Sequence, residues 1–326
     1  MKKNKLLLTG AAGFIGSNLS IKLIKESVFE LHLLDRDEDR LEKFKKELSE
    51  YSNCDRIFFK FNDISDASVI KDIENGFYDV VVHLAAVPRV AYSVENPSDT
   101  FWENCQKSVQ IFEACAKSST RVVFASSSSV YGDNVQMPTK ESERLGPKSP
   151  YALQKMSAEK CATMLSELVG LDAVSLRFFN VYGPRQLADN AYATVISAWM
   201  SACMKNGKLR LDGDGTQERD FCYVDDVCNA IKLCIDHKTK WRGQVYNVAQ
   251  ANCHSLKWVL NWFVNKFNLD LSKDITKAPP RLGDVKKTLA DMSLASSELN
   301  FHPSWPLEQG LEATYQWWIK EAQKKS

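Results

Sequence analysis

Tyr151 and Lys155 stand four residues apart in Tyr151-Ala152-Leu153-Gln154-Lys155, at the head of a long helical pattern. Residues so spaced share a helical face, so the phenol and the ammonium can share a site. A free phenol ionises near pH ~10. A neighbouring ammonium favours the phenolate and makes tyrosine a usable base near neutral pH. A plain surface pair has the same spacing, so the pair gains meaning only beside other signals. One is Ser126-Ser127-Ser128-Ser129-Val130-Tyr131-Gly132, after an apolar run. A hydroxyl there can polarise a substrate oxygen or relay a proton; a polar turn is the plainer reading. Another is Gly10-Ala11-Ala12-Gly13-Phe14-Ile15-Gly16. Its glycines suit a tight turn, close backbone approach to a pyrophosphate and close helix–strand packing, and the helix N-terminus behind them offers unpaired N–H donors.

Asp35 lies 19 residues beyond Gly16. There its carboxylate would accept hydrogen bonds from ribose hydroxyls and repel a 2′-phosphate, which favours NAD over NADP. Arg36 is the residue that would instead accommodate that phosphate. Asp63 and Ile64 either flank an adenine or serve as a helix cap and a core aliphatic.

These residues need elements to position them. Residues 5–9, 31–35, 56–61, 79–84, 121–125 and 173–177 read as short buried strands. Helical patterns at 14–25, 36–50, 101–117 and 151–169 alternate with them. Such alternation predicts a parallel sheet with helices on both faces. Past residue 180 the rhythm weakens. A helical stretch (194–205), a Gly-Asp-Gly turn (213–215), a further helix (225–237), a strand from Gln244 to Ala249 and a helix carrying Trp317-Trp318 suggest a smaller, interleaved lobe.

Composition narrows the class. The 326 residues are 44% hydrophobic, an ordinary globular content. Lys+Arg 42 against Asp+Glu 41 gives +1, so no nucleic-acid or anionic-membrane partner is expected. No apolar run reaches the length of a membrane span. The nine cysteines have no Cys-x-x-Cys spacing and do not cluster with the five histidines, so reduced thiols in a cytoplasmic protein without metal are expected.

Taken together, these residues resemble the extended short-chain dehydrogenase/reductases of the nucleotide-sugar epimerase/dehydratase group. The resemblance runs from Lys5 to about Leu311. It is carried by GAAGFIG (10–16), Asp35, Asp63-Ile64, HLAA (83–86), SSSSVYG (126–132), YALQK (151–155), RFFNVYGPRQ (177–186), GDGTQERDF (213–221), YVDDV (223–227) and RLGD (281–284). It implies a Rossmann-type doubly wound α/β fold. Residues 1–180 would form the NAD-binding domain, with 225–250 returning to it, and 181–326 mainly a substrate-binding lobe. Gly10, Gly13, Phe14, Ile15, Gly16, Asp35, Asp63, Ile64, Leu84, Ala85, Ala86, Asn104 and Lys155 would contact NAD. Tyr151 would be the base, aided by Lys155, and Ser127 the catalytic hydroxyl. Asn180, Arg219 and Arg281 would hold the diphosphate, with Asp284 near the uridine ribose.

Dehydratases of this group carry an Asp-Glu pair beside the catalytic hydroxyl, and UDP-glucuronate decarboxylases a Glu. Here Ser128, Ser129 and Val130 follow Ser127, which leaves the chemistry of a 4-epimerase, an isomerase. The segments around Arg89, Arg185-Gln186 and Arg219 resemble bacterial UDP-N-acetylglucosamine 4-epimerases. Thr288 would occupy the place of a bulky tyrosine in glucose-restricted enzymes, leaving room for an acetamido group that Ser128 and Ser129 could bond. UDP-glucose and UDP-uronate 4-epimerases are the alternatives, with Arg89 placed to meet a carboxylate. A non-catalytic NAD-binding sensor would typically lack the tyrosine or the lysine. The resemblance also implies a homodimer through a helix bundle, with Val109, Ile111, Phe112, Met164, Leu165 and Leu168 either at the interface or in the core. By analogy, the product would feed polysaccharide biosynthesis.

Overall fold

The computed structural model describes residues 4–51, 54–133, 135–188, 194–280 and 285–324. Leu6, Leu7 and Leu8 of β1 (Lys5–Thr9) are all fully buried, as a run without polar alternation requires. The chain then turns into α1 (Phe14–Glu26), β2 (Glu30–Asp35) and α2 (Glu38–Leu48). Within the charge-dense stretch, Leu41, Phe44 and Leu48 form the buried stripe of α2, and the Asp37 side chain caps its start by accepting from Arg40 N. β3 (Ile57–Phe61), α3 (Ala67–Glu74) and β4 (Val80–His83) follow.

The helix expected over 101–117 is interrupted. α4 (Val90–Glu95) precedes it, and its own length is made of the end of α5 (Pro97–Phe101), a π-helical turn (Trp102–Gln106) and α6 (Lys107–Ser118). β5 (Arg121–Ser127) runs into a short 3₁₀ turn (Ser128–Tyr131), and α7 (Pro150–Leu168) precedes β6 (Ala173–Phe178). Then come β7 (Val181–Tyr182), α8 (Val195–Met204), β8 (Leu209–Asp212), β9 (Glu218–Asp220), β10 (Cys222–Tyr223), α9 (Val224–Asp236) and β11 (Gln244–Val248). β12 (Cys253–Ser255), α10 (Leu256–Phe267), β13 (Ile275–Ala278), α11 (Ser293–Leu299) and α12 (Leu307–Gln323) complete the described chain.

Seven strands form one sheet in the order β11-β6-β5-β4-β1-β2-β3. Every pairing in it is parallel. The strand order reverses between β1 and β4, and open parallel sheets bind ligands in the crevice at such a point. This is the Rossmann-type α/β fold. One core packs α1, α9 and α11 against the sheet, and the second packs α3, α6 and α7 against its other face. A third, around Trp199, Met200, Leu209, Phe263 and Leu311, holds α8, β8, α10 and α12 together in the C-terminal lobe. Three two-stranded sheets, β7 with β10, β9 with β12 and β8 with β13, belong to the region after β6. Cys105, Cys115, Cys161, Cys203, Cys222, Cys228, Cys234 and Cys253 are free thiols. Among the described residues, no helix is long and apolar enough to cross a membrane, and no cluster of ligands could hold a metal.

Candidate active site

The switch point is built by glycine. Gly10 leaves β1 with φ +68°, and a Cβ there would stand 3.0 Å from the Ala85 backbone. Only a residue without a side chain lets the turn after β1 approach the turn after β4 this closely. Gly13 caps α1 with no side-chain bond, so the first N–H groups of the helix remain free for an anion. Gly16 packs so tightly that a Cβ would lie 2.1 Å from the Gly10 carbonyl oxygen. Phe14, Ile15 and Leu84 pack against one core and Ala85 against the other, and Ala86 is half-buried. Asp35 ends β2 with one carboxylate oxygen accepting from Ala12 N at 3.0 Å and the other from Asp37 N at 3.1 Å. The acid thus sits directly against the glycine turn. Free helix N–H groups, an acid beside them and a cradle that a Cβ would fill are the donor set that a dinucleotide requires.

Arg36 is already engaged, with a guanidinium nitrogen 2.6 Å from Glu103 and 3.7 Å from Asp63. Asp63 accepts from Ser65 N, Ser65 Oγ and Lys107 Nζ. Burial pushes its carboxyl up, but the bonds from Lys107 and Ser65 outweigh this and hold it below the ordinary range. Ile64 is buried in the core under α3 and α6.

A polar spine fixes the turn after β4. Ala85 N donates to Thr9 Oγ1, which lies 2.8 Å from His83 Nδ1. His83 Nε2 lies 3.0 Å from Ser108 Oγ, which donates to the Asn104 carbonyl. Burial drives the imidazole down to about 3, so it is neutral, and its neighbours set the proton on Nε2. Asn104, fully buried in the π-turn, accepts from Val87 N at 2.7 Å and donates to Val87 O at 3.2 Å. Its amide is spent on the backbone beside the crevice, where the resemblance implied a side chain turned to the cofactor. Thr9 and Ser108 were not legible as site residues, because their partners lie far away in the chain.

Tyr151 is placed by the start of α7. Pro150 opens the helix, Ser149 Oγ accepts from Ala152 N, and Tyr151 N donates to Ser93 Oγ at 3.0 Å. The phenol faces Ser127. Ser127 Oγ accepts from both the N–H and the hydroxyl of Ser129, at 3.2 and 2.9 Å. Its own proton is not committed to Ser129. Burial pushes Tyr151 up to about 12, and the bond from Ser127 works against that rise. Lys155, 3% exposed, turns its ammonium to the Ala125 carbonyl at 2.9 Å and lies over the Phe124 ring. The lysine thus reaches from α7 down to the strand. Burial lowers its own value to about 8.

The opposite wall comes from the later segments. Asn180 donates to the Asp220 carbonyl at 3.2 Å and to Thr288 Oγ1 at 3.1 Å, and Thr288 Oγ1 also accepts from Asp220 N. Arg219 lies half-buried on β9, opposite His254 of β12. Asp220, fully buried, accepts from Gln250 N and Ala290 N, and burial raises it to about 6 against the backbone donors around it. It is the knot of this wall, and the sequence offered only its place beside Arg219. Ser128 and Ser129 are half-buried in the 3₁₀ turn. Arg89 caps α4, half-buried, and its guanidinium has no hydrogen-bond or ion-pair partner among the described residues. Arg185 is bound by Glu47 of α2 through both guanidinium nitrogens. Arg281 and Asp284 lie outside the described residues.

Comparison with known proteins agrees with this geometry. Residues 6–249 match the model of the NAD dependent epimerase/dehydratase family. UDP-glucuronate 4-epimerase 4 of Arabidopsis thaliana is 31% identical over 96% of this chain and 75% of its own. The UDP-N-acetylglucosamine 4-epimerase from Methanobrevibacter ruminantium M1, solved with UDP-N-acetylmuramic acid, is 33% identical with a TM-score of 0.87, covering 98% of this chain and 100% of that one. The UDP-glucuronic acid 4-epimerase from Bacillus cereus, solved with UDP-glucuronic acid and NAD, is 30% identical with a TM-score of 0.86, covering 97% and 99%. With its glycine turn, its tyrosine and lysine on one helix and this match over most of its length, the chain belongs to the NAD-dependent epimerase/dehydratase family, and NAD is its cofactor.

Proposed function

We propose that the protein is a 4-epimerase of a UDP-hexose, interconverting UDP-GlcNAc and UDP-GalNAc through a 4-keto sugar. The observation that carries this reading is the Tyr151–Ser127 pair at the end of β5, with Ser128, Ser129 and Val130 after it and no acid to drive elimination. The epimerases named above support it.

Gly10, Gly13 and Gly16 would seat the pyrophosphate of NAD at α1, Asp35 its adenosine ribose and Lys155 its nicotinamide ribose. When bound, NAD would supply the hydride acceptor and donor for the sugar C4. Tyr151, as the phenolate, takes the proton of the sugar 4-hydroxyl, and Ser127, its own proton uncommitted to Ser129, polarises that oxygen. Asn180 and Arg219, with Arg281 and Asp284, keep hold of the nucleotide while the keto sugar turns about its link to the diphosphate. Tyr151 then returns the proton to the inverted carbon's oxygen. Thr288, whose hydroxyl is tied to Asn180 and Asp220, leaves the C2 side open, and Ser128 and Ser129 meet the acetamido group.

A second reading follows from one observation. The guanidinium of Arg89, unpartnered among the described residues, suits a C6 carboxylate, which favours a UDP-uronate. Proton NMR of the protein with UDP-GlcNAc, UDP-glucose and their uronates, without added reductant, separates the two. UDP-GalNAc formed faster than UDP-galactose supports the first. Turnover of a uronate alone transfers the assignment to the second, and no turnover of any of the four sinks both.

The same reading includes a homodimer. Ile111 and Phe112 are core, whereas Met164 and Leu168 are exposed, as are Phe101, Trp102 and Leu153. Val109 and Leu165 are half-buried. The exposed set is the apolar surface that α5, the π-turn and α7 offer to a second copy.

A further inference from the structure

The serine turn that carries Ser127 is flanked by two hydroxyl groups that face away from the reaction. Ser126, before it, donates to Glu159 Oε2 at 2.7 Å. Tyr131, after it, accepts from Arg177 Nη1 at 2.8 Å and donates to Asn247 Oδ1 at 2.6 Å. Glu159 and Arg177 are bonded to each other twice, at 2.6 and 3.0 Å, and are 0% and 2% exposed. One buried ion pair therefore holds both flanks of the turn. The register explains how: Arg177 lies directly opposite Ser126 on the neighbouring strand. Glu159 continues the stripe Tyr151, Lys155, Glu159 along α7. That stripe meets Ser127, the Ala125 carbonyl and Ser126 in turn. Two successive positions at the end of β5, Ala125 and Ser126, are thus hydrogen-bonded to successive turns of one helix, and the first turn brings Tyr151 to Ser127.

A buried pair of this kind is weak evidence for stability, since desolvation offsets much of its attraction. Its distinctive effect here is geometric. We propose that Glu159 and Arg177 are positioning residues: by clamping Ser126 and Tyr131 they aim the Ser127 hydroxyl at the Tyr151 phenol. The inference rests on the reading of Tyr151 and Ser127 as the proton-transfer pair.

Ser126→Ala cuts one tie and leaves Glu159 paired with Arg177, so the fold is spared. Tyr131→Phe cuts the other. Each is expected to lower kcat about 10-fold, with KM for the UDP-sugar within about twofold of wild type, because a misaimed group costs rate more than binding. Ser126→Thr, which keeps the hydroxyl, is expected to restore kcat. A readout independent of the substrate is fluorine NMR of the 3-fluorotyrosine protein, with the Tyr151 signal assigned by its loss in Tyr151→Phe. Its titration midpoint is expected to rise in Ser126→Ala, as the bond from Ser127 loosens, and to return in Ser126→Thr. Unchanged kcat and an unmoved midpoint in Ser126→Ala and Tyr131→Phe overturn the proposal. So does a loss that follows thermal stability, with kcat and KM failing together. If the wild-type protein converts no UDP-sugar, the proposed function falls, and the Tyr151 signal still decides whether the clamp exists.

Discussion

At the scale of single residues, the chemistry turns on a phenol that burial holds at about 12 and an ammonium that burial holds at about 8. Tyr151→Phe is expected to reduce kcat by a factor on the order of 10² or more with the fold intact, as loss of a general acid–base group does. Circular dichroism beside the NMR assay checks both halves. Lys155 gives a test by pH. Its folded value lies below the ordinary 10.5, so between about pH 8 and 10.5 the unfolded chain holds a proton that the folded one has shed, and stability contributed by this group rises with pH. At neutral pH the buried charge costs on the order of 3 kcal/mol. Without nucleotide, Lys155→Met is therefore expected to unfold at higher urea than wild type at about pH 7. That gap should narrow towards about pH 10, while turnover is lost. Tyr151, Lys155 and the three glycines were legible because their meaning lies in local spacing. Glu159, Arg177, His83 and Asp220 were not, because each finds its partner through the fold. Asn104 was legible as a pocket residue, yet the structure spends its amide on Val87.

At the scale of elements, two turns decide the site. Ser149 caps the helix that presents Tyr151, so Ser149→Ala is expected to cost about 1 kcal/mol of stability in denaturant titration. In the turn between β1 and α1, Gly16→Ala would drive a methyl group against the Gly10 carbonyl. Such protein is expected to purify without NAD, checked by the nucleotide released on denaturation, while wild type retains it. The strands could be read from the sequence as apolar runs, since burial on both faces leaves no other pattern. The break between α5 and α6 could not, because a π-turn carries no residue signature of its own and shows only in backbone bonds such as Lys107 N to Trp102 O. Nor were α3 and α10 anticipated.

At the scale of the whole molecule, the exposed apolar side chains of α5, the π-turn and α7 predict an assembly of twice the chain mass in light scattering. Trp102→Glu and Leu168→Glu, at half- and largely exposed positions, are expected to return the monomer mass by placing like charges in the shared surface. The sheet carries a different consequence. Its edge strand β11 pairs with β6 although α8, α9 and all of β7 to β10 lie between them in the chain. On the ribosome, β6 therefore emerges with one row of backbone N–H and C=O groups open, and it stays open until Val248 has been added. Through that interval the nascent chain presents a bare, apolar, parallel edge, the kind of surface on which neighbouring chains aggregate. The birth of this protein is most hazardous between β6 and β11, and a messenger that stalls there releases the form a chaperone has most reason to hold.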